Sequence, residues 1–312
     1  MTTYAGIEIG GTKLQIRVED EEGNVLHHFR TSNPPSTSAD DLRNIVRERM
    51  LVLQRTFNIA ATGVGFGGPI DRTNGNVFQS FQVAGWTDFE FLSWFDEWST
   101  CGVFIENDAN VAALGEALRG AGKNHDKVFY VTLGSGVGSG FVSNGIIYQG
   151  SPVEMEFGHL RIDASGTELE DVCSGWAINK AIQIKAFAGR GGMLAELVKK
   201  DPGHEARHLR EALQNNDVIA KVIFDNAMNA LSFCLSHVVH LLGPDTIVIG
   251  GGLSLMGNMI TDAITKRFTT LLMDVFKPGP LLQIAALGED VVPVGAIEFA
   301  KKHASAIKFQ NT

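Results

Sequence analysis

The same plan is written twice in this chain, and that repeat restricts the fold more than anything else in it. Tyr4 to Ile9 reads as a strand, Gly10-Gly11-Thr12-Lys13 as a turn, and Leu14 to Val18 as a second strand alternating apolar and polar residues. Glu21-Glu22-Gly23-Asn24 then turns the chain into a third strand, Val25 to Phe29. Val128 to Leu133, the glycine turn from Gly134 to Gly140, Phe141-Val142, the Asn144-Gly145 turn and Ile146 to Tyr148 repeat the order. An offset of 124 lays Gly10 on Gly134 and Gly23-Asn24 beside Asn144-Gly145. Two such meanders indicate internal duplication. A dinucleotide-binding reading of the second copy fails, because Gly134-x-Gly136-x-Gly138 is followed by a strand and a hairpin where that motif needs a helix.

Between and after the meanders the pattern is mixed α/β. Asp40 to Phe57 has helical character, and Ala61 to Phe66 is a strand ending in Gly67-Gly68-Pro69-Ile70-Asp71. Asn74-Gly75-Asn76 is a hairpin turn, and Phe89 to Trp98 an aromatic helix of the kind that builds core. Val103 to Ile105 ends a buried strand, and a helix begins at Ala109. Leu169 to about Leu242 reads as mostly helical, Asp245 to Ile249 as a buried strand ending in Gly250-Gly251-Gly252, with a helix from about Met256. Leu281 to Ala286 is a strand, Pro293 to His303 a last helix, and fraying is expected from about Ser305.

Asp108 stands between the Val103 strand and the Ala109 helix, where open α/β sheets place their ligands. Two readings compete for it: the helix N-cap, a role Asp fills well, and a reacting carboxylate. The turns at Gly10-Gly11-Thr12 and Gly134 to Gly140 carry the same ambiguity between tight hairpins and N–H donors aimed at phosphate. Taken together they suit a nucleotide. Phosphoryl transfer needs little covalent chemistry from a protein: an acceptor hydroxyl in line with the γ-phosphate, a carboxylate for its proton, and Mg²⁺ against the charge. Asp108 is the candidate base.

The 312 residues suffice for two domains, and a net charge of -9 argues against nucleic acid, polyphosphate or an anionic membrane as main partner. Cys101, Cys173 and Cys234 are widely spaced, which suggests reduced thiols in a cytoplasmic protein. Neither a secretion leader nor a membrane span is expected.

Several motifs in order resemble sugar kinases of the ROK family. They are Gly6-Ile7-Glu8-Ile9-Gly10-Gly11-Thr12-Lys13, Gly67-Gly68-Pro69-Ile70-Asp71, Glu106-Asn107-Asp108-Ala109-Asn110 and Thr132-Leu133-Gly134-Ser135-Gly136-Val137-Gly138. Glu156-x-Gly158-His159, Leu169-Glu170 with Ser174-Gly175, and Ile249-Gly250-Gly251-Gly252 complete the set. The resemblance, collinear from about residue 4 to residue 300, implies an α/β fold of the actin-like ATPase, hexokinase type: two ribonuclease-H-like domains with an interdomain cleft. The domains would be 1–115, completed by a C-terminal helix at 291–312, and 116–290. It also implies ATP and Mg²⁺, transfer to a hexose hydroxyl (usually O6), and a homodimer. Asp108 matches the family's base, and Asn107, Glu156, His159 and Glu170, with Gly68, its sugar site. Gly10, Gly11, Thr12, Lys13, Thr132, Gly134 and Gly136 match phosphate contacts, Gly251 and Gly252 the adenosine turn, and Glu8 a group reaching Mg²⁺ through water.

Three departures from the family pattern bear on function. Glu8 replaces the usual Asp, as in fructokinase-like members. The cysteine-rich zinc loop that most members carry after the Gly-His pair is absent: ten residues separate His159 from Glu170 and none is Cys. No zinc site is expected, so hydrogen bonds must hold His159. Gln82 stands where many members have a sugar-binding Asn, which leaves glucose, fructose and N-acetylated hexosamines open as substrates. His204-Glu205-Ala206-Arg207-His208 fits the HExxH peptidase pattern, but Asp201-Pro202-Gly203 before it and the charged Arg207, Arg210 and Glu211 favour a solvated helix start. ROK relatives that repress transcription carry a helix-turn-helix ahead of the first glycine motif. Three residues precede Tyr4 here, so DNA binding is not expected. An assembly ATPase of actin-like fold would have no use for Glu156, His159 and Glu170.

Overall fold

The computed structural model describes residues 1–34, 36–150, 155–187, 192–203 and 205–310. The strands β1 (Thr3–Ile9), β2 (Lys13–Asp20) and β3 (Val25–Ser32) form the first meander, followed by α1 (Ala39–Thr56), β4 (Ile59–Phe66), β5 (Ile70–Asp71) and β6 (Asn76–Val77). Then come α2 (Phe91–Asp96), β7 (Gly102–Asn107) and α3 (Asp108–Arg119), and the second meander β8 (Lys127–Leu133), β9 (Val137–Ser143) and β10 (Ile146–Ile147). The helices α4 (Glu170–Cys173), α5 (Gly175–Phe187), α6 (Met193–Lys200), α7 (Leu209–Gln214) and α8 (Val218–Leu242) follow. The chain closes with β11 (Thr246–Gly250), α9 (Asn258–Leu271), β12 (Leu281–Ile284) and α10 (Val291–Gln310). The last helix runs beyond Ser305, where fraying was expected; nothing from Ala296 to Gln310 is Gly or Pro, so no residue there breaks it.

The two five-stranded sheets have the same order, β3-β2-β1-β4-β7 and β10-β9-β8-β11-β12. In each, the first strand of the meander pairs in parallel with the next long strand of the chain, β1 with β4 and β8 with β11, and a further parallel strand lies outside that. The chain divides into two compact units. The first holds Met1–Asp126, Gly140–Met155 and Ala286–Thr312, and the second Lys127–Ser139 and Glu156–Ala285. The first unit therefore continues past residue 115 to Asp126, takes back residues 140–155, and includes the C-terminal helix.

In the first unit alternate residues of the central strands face opposite ways, as the pleat requires. Ala5, Ile7 and Ile9 of β1 join Leu42, Val46 and Met50 of α1 in one core, together with Trp86, Phe91 and Phe95. The aromatic helix is core, as its stripe suggests, with Phe91 and Phe95 buried; beside it Trp86 meets Phe66 edge-on at 5.1 Å, and the Arg43 guanidinium lies 4.4 Å from the Phe89 ring. Helix α1 begins in a capping box, with Ser38 Oγ accepting from Asp41 N–H and the Asp41 carboxylate accepting from Ser38 N–H.

The opposite face of the sheet receives α10, through Tyr4, Ala61, Ile297 and Ala300. The helix comes close because Gly6 and Gly63 are cross-strand neighbours in β1 and β4. A Cβ on Gly6 would lie 2.1 Å from the Pro293 carbonyl oxygen, and one on Gly63 would lie 1.9 Å from that of Ala296. These two positions make a flat spot that only glycine provides.

In the second unit α8 is long and apolar enough by length and composition to cross a bilayer, yet half of that stretch is buried, against α5 and α9 among others. It starts on an Asp217 cap and ends at Gly243 in the left-handed region, φ 55°.

Gly63→Ala sets a methyl against backbone that cannot swing aside. Destabilisation of about 2 kcal/mol or more is expected from such overpacking, read as a lowered urea midpoint. An unchanged midpoint would show that α10 does not need the flat spot.

Candidate active site

The end of β7 builds the first group of site residues. Parallel pairing sets Phe66 of β4 opposite Asn107 of β7, so the Gly67-Gly68 turn and the start of α3 leave the sheet side by side. Asn107 is the N-cap of α3: its Oδ1 accepts from Ala109 N–H at 2.9 Å and Asn110 N–H at 3.2 Å. Asp108 is therefore the first residue inside the helix, and the cap reading entertained for it passes to its neighbour. Its carboxylate gains from the positive end of α3 without serving as the cap. Asp108 Oδ2 lies 3.3 Å from the point where a Cβ on Gly67 would sit. The Asn107 Nδ2 amide donates to the Gly68 carbonyl at 3.3 Å, which joins two of the expected sugar-site residues.

Beneath them is Glu106, with 0% of its surface exposed. Its carboxylate accepts from Asn107 N–H at 2.9 Å, Asn110 Nδ2 at 3.1 Å and Arg72 Nε at 3.0 Å. A buried charge requires such partners, and Arg72 supplies the opposite sign. The sequence quoted Glu106 only as part of a motif and gave Arg72 no role.

The first glycine turn closes by Gly10 N–H donating to the Lys13 carbonyl at 3.0 Å. Asn33 holds it from outside, donating Nδ2–H to the Gly10 carbonyl and N–H to the Thr12 carbonyl, each at 2.8 Å. Glu8 is buried beneath this turn, with Lys13 Nζ 3.2 Å from Oε1 and the Gln15 amide donating to Oε2 at 2.6 Å. Burial pushes the Glu8 carboxyl above its ordinary range, against the pull of Lys13. A single buried carboxylate suits a hydrated Mg²⁺, which keeps most of its water and takes few protein ligands.

In the second unit Gly175 N–H donates to the Gly134 carbonyl at 2.8 Å, and Gly134 N–H to the Gly136 carbonyl at 3.0 Å. Gly251, at φ 79°, turns away from β11 against the backbone of Leu133, so the Gly251-Gly252 turn abuts the end of β8 next to the Gly134 turn. Thr132 pairs with Gly250 across β8 and β11. Glu170 opens α4 and its Oε2 accepts from Val137 N–H at 2.7 Å.

Glu156, His159 and Glu170 fall within electrostatic reach of one another. Burial pushes the Glu156 carboxyl up, Glu170 adds to this, and His159 opposes it. His159 ends a one-turn 3-10 helix, Phe157–His159, and its Nδ1 lies 2.6 Å from Oε2 of Glu168, a residue sequence reasoning passed over. The hydrogen bond to Glu168 raises the imidazole pKa. The ten residues between His159 and Glu170 contain no Cys that could complete a cysteine-rich zinc set with His159. Of the HExxH stretch, His204 lies outside the described residues. Glu205–His208 forms a 3-10 helix, and His208 Nε2–H donates to the Asp201 carbonyl at 3.1 Å.

Comparison with known proteins finds relatives over nearly the whole chain. The model of a family described as the ROK family matches residues 4–303. A glucokinase of Thermotoga maritima is 27% identical over 306 residues, 95% of this chain and 96% of that one. A xylose repressor of Bacillus spizizenii is 24% identical over 304 residues, 96% of this chain and 77% of its own. Among solved structures, a ROK family glucokinase from Streptomyces griseus in complex with glucose and AMPPNP superposes with a TM-score of 0.81 at 28% identity, covering 96% of this chain and 99% of that one. The fold is the actin-like, hexokinase-type α/β fold.

Glu106→Gln removes the charge that Arg72 Nε meets at 3.0 Å, and a loss of about 1–3 kcal/mol in unfolding free energy is expected. Adding Arg72→Met should recover part of that loss, since the two act as one pair. Strictly additive losses in a double-mutant cycle would show that the pair is not coupled.

Proposed function

Because the chain belongs to the ROK family, we propose that it is an ATP-dependent sugar kinase, moving the γ-phosphate to a hexose hydroxyl with O6 of glucose or a related hexose first in line. The observation that carries this reading is the placing of Asp108, whose carboxylate stands at the mouth of a helix already capped by Asn107. The Asn107 cap fixes where α3 begins, and so sets the Asp108 carboxylate at the end of β7, where open α/β sheets place their ligands.

In this reading Asp108 accepts the proton of the attacking hydroxyl while that oxygen bonds to phosphorus and the bond to the ADP leaving oxygen breaks. An ordinary carboxylate suffices, because the proton leaves as the new bond forms. Glu156 and Glu170 accept from sugar hydroxyls, and His159 and the second N–H of Asn107 add contacts of a different sense, so that several sides of a pyranose are recognised. The Gly10-Gly11-Thr12 and Gly134 to Gly136 turns, which the Gly10 and Gly134 N–H groups close, receive phosphate oxygens on their remaining N–H groups, with Lys13 as a point charge, while Gly251 and Gly252 leave room for the adenosine. Glu8 would hold Mg²⁺ through water, and the ion would neutralise charge on the phosphates. Glu8, Lys13 and Gln15 form one hydrogen-bonded set under the first turn, which keeps that carboxylate in place.

A coupled ADP-release assay over a panel of sugars with ATP and Mg²⁺ tests the proposal directly. Turnover is expected with at least one hexose, and a fructose or N-acetylhexosamine preference would revise the substrate while keeping the class. Asp108→Asn should lower kcat by about 10²–10⁴ with ATP binding retained. A kcat near wild type in that variant would remove Asp108 from the role of base.

A further inference from the structure

Residues 160–169 form a small hairpin whose effect is to return Glu168 to His159. Its tip is organised by Asp163, whose Oδ1 accepts from Ser165 N–H at 2.8 Å, Ser165 Oγ–H at 2.6 Å and Thr167 N–H at 3.2 Å. These hydrogen bonds hold the Asp163 carboxyl down to about 2. Ile162 N–H donates to the Thr167 carbonyl and Leu169 N–H to the Leu160 carbonyl, each at 2.9 Å, and Arg161 bridges Glu168. Leu169, fully buried, anchors the returning arm. Glu168 N–H also donates to the Asp171 carboxylate at 3.1 Å, fixing its backbone at the entry to α4. Side chains nine residues apart thereby meet at 2.6 Å.

The imidazole of His159 has 49% of its surface exposed, so neighbouring packing restricts its rotation and tautomer little. We propose that Glu168 is the positioning residue for His159, its carboxylate taking Nδ1–H so that Nε2 is presented to a sugar hydroxyl. The proposal rests on the sugar-kinase reading above. In the neutral ring, Nδ1–H donating to Glu168 leaves the Nε2 lone pair as an acceptor; in the imidazolium, Nε2–H becomes a donor. Among the described residues the charged groups facing the ring are Glu168, Glu156 and Glu170, all acidic, and together they favour its protonated form. The imidazolium–carboxylate attraction is accordingly complete below the ordinary histidine pKa of about 6.5 and is lost as pH rises through the raised value. The Nδ1–H hydrogen bond persists beyond that. A carboxylate carried on a hairpin does here what a metal ion could do elsewhere: it fixes one ring nitrogen so that the other points where it is needed.

The test pairs Glu168→Gln and Glu168→Ala, read by NMR titration of His159 and by steady-state kinetics on the preferred hexose. The glutamine amide oxygen still accepts Nδ1–H but carries no charge. In that variant the His159 midpoint should fall toward the ordinary value while the hexose KM well above the midpoint stays within about twofold of wild type. Glu168→Ala removes both effects and should raise the hexose KM about tenfold, with kcat at saturating hexose and the KM for ATP little changed. An unmoved His159 midpoint in Glu168→Gln, or an unchanged hexose KM in Glu168→Ala, overturns the proposal. Equal losses in kcat and in both KM values would mark a general structural role and also overturn it. If the wild-type chain phosphorylates no sugar in the panel, the kinase reading fails by itself, and the NMR midpoints still report whether Glu168 controls the ring.

Discussion

The buried carboxylate of Glu106 is the constraint on which the first group of site residues depends. It has no access to water, so its charge must be met inside the protein, and Arg72, Asn110 and the Asn107 backbone meet it together. Those bonds tie the end of β7 to the turn after β5 and to the first turn of α3. With those bonds made, Asn107 caps the helix and Asp108 is its first residue. Ala109 to Ala117 are buried behind it, which leaves α3 little freedom to shift. The pair need not add net stability, since a buried ion pair roughly balances its own desolvation; what it provides is a single arrangement.

The two sheets share one topology, and the differences between the two copies lie in what surrounds each glycine turn. In the first copy the turn covers Glu8, which is engaged by Lys13 and Gln15. In the second, the turn lies against the Glu170 carboxylate, which accepts from Val137, and beside the backbone of Gly175. One duplicated scaffold thus supplies an acidic residue under a turn in one unit and an acidic residue beside a turn in the other. The proposed chemistry assigns them different tasks, a hydrated cation and a sugar hydroxyl, and their surroundings differ accordingly: Glu8 is buried, whereas Glu170 is half-buried at a helix start.

Local pattern carried much of this. Strands ending in glycine turns, the Asp108 switch between strand and helix, and the aromatic run as core all follow from periodicity and from the backbone freedom of glycine, properties of a few adjacent residues. The α10 boundary was less legible, because no Gly or Pro follows Gly295 in the helix to mark a stop. The identity of the cap was also hidden: Asn and Asp are about equally good N-caps, so Asn107-Asp108 is ambiguous until the backbone says which residue is extended. The partners of Glu106 and His159 could not be read at all. Arg72 is 34 residues from Glu106, and Glu168 is carried to His159 by a hairpin whose Asp163 turn is readable but whose pairing register is not.

By itself the sequence determined the duplicated α/β plan, the places where the backbone must turn on glycine, and the residue types able to serve phosphate and sugar, because each depends on short-range sterics and chemical type. Tertiary structure alone decided which residue caps α3 and which stands first inside it, which cation faces the buried Glu106, and which carboxylate meets the His159 ring. Those outcomes depend on distances between atoms far apart in the chain, and such distances are set only when the sheets and helices have packed.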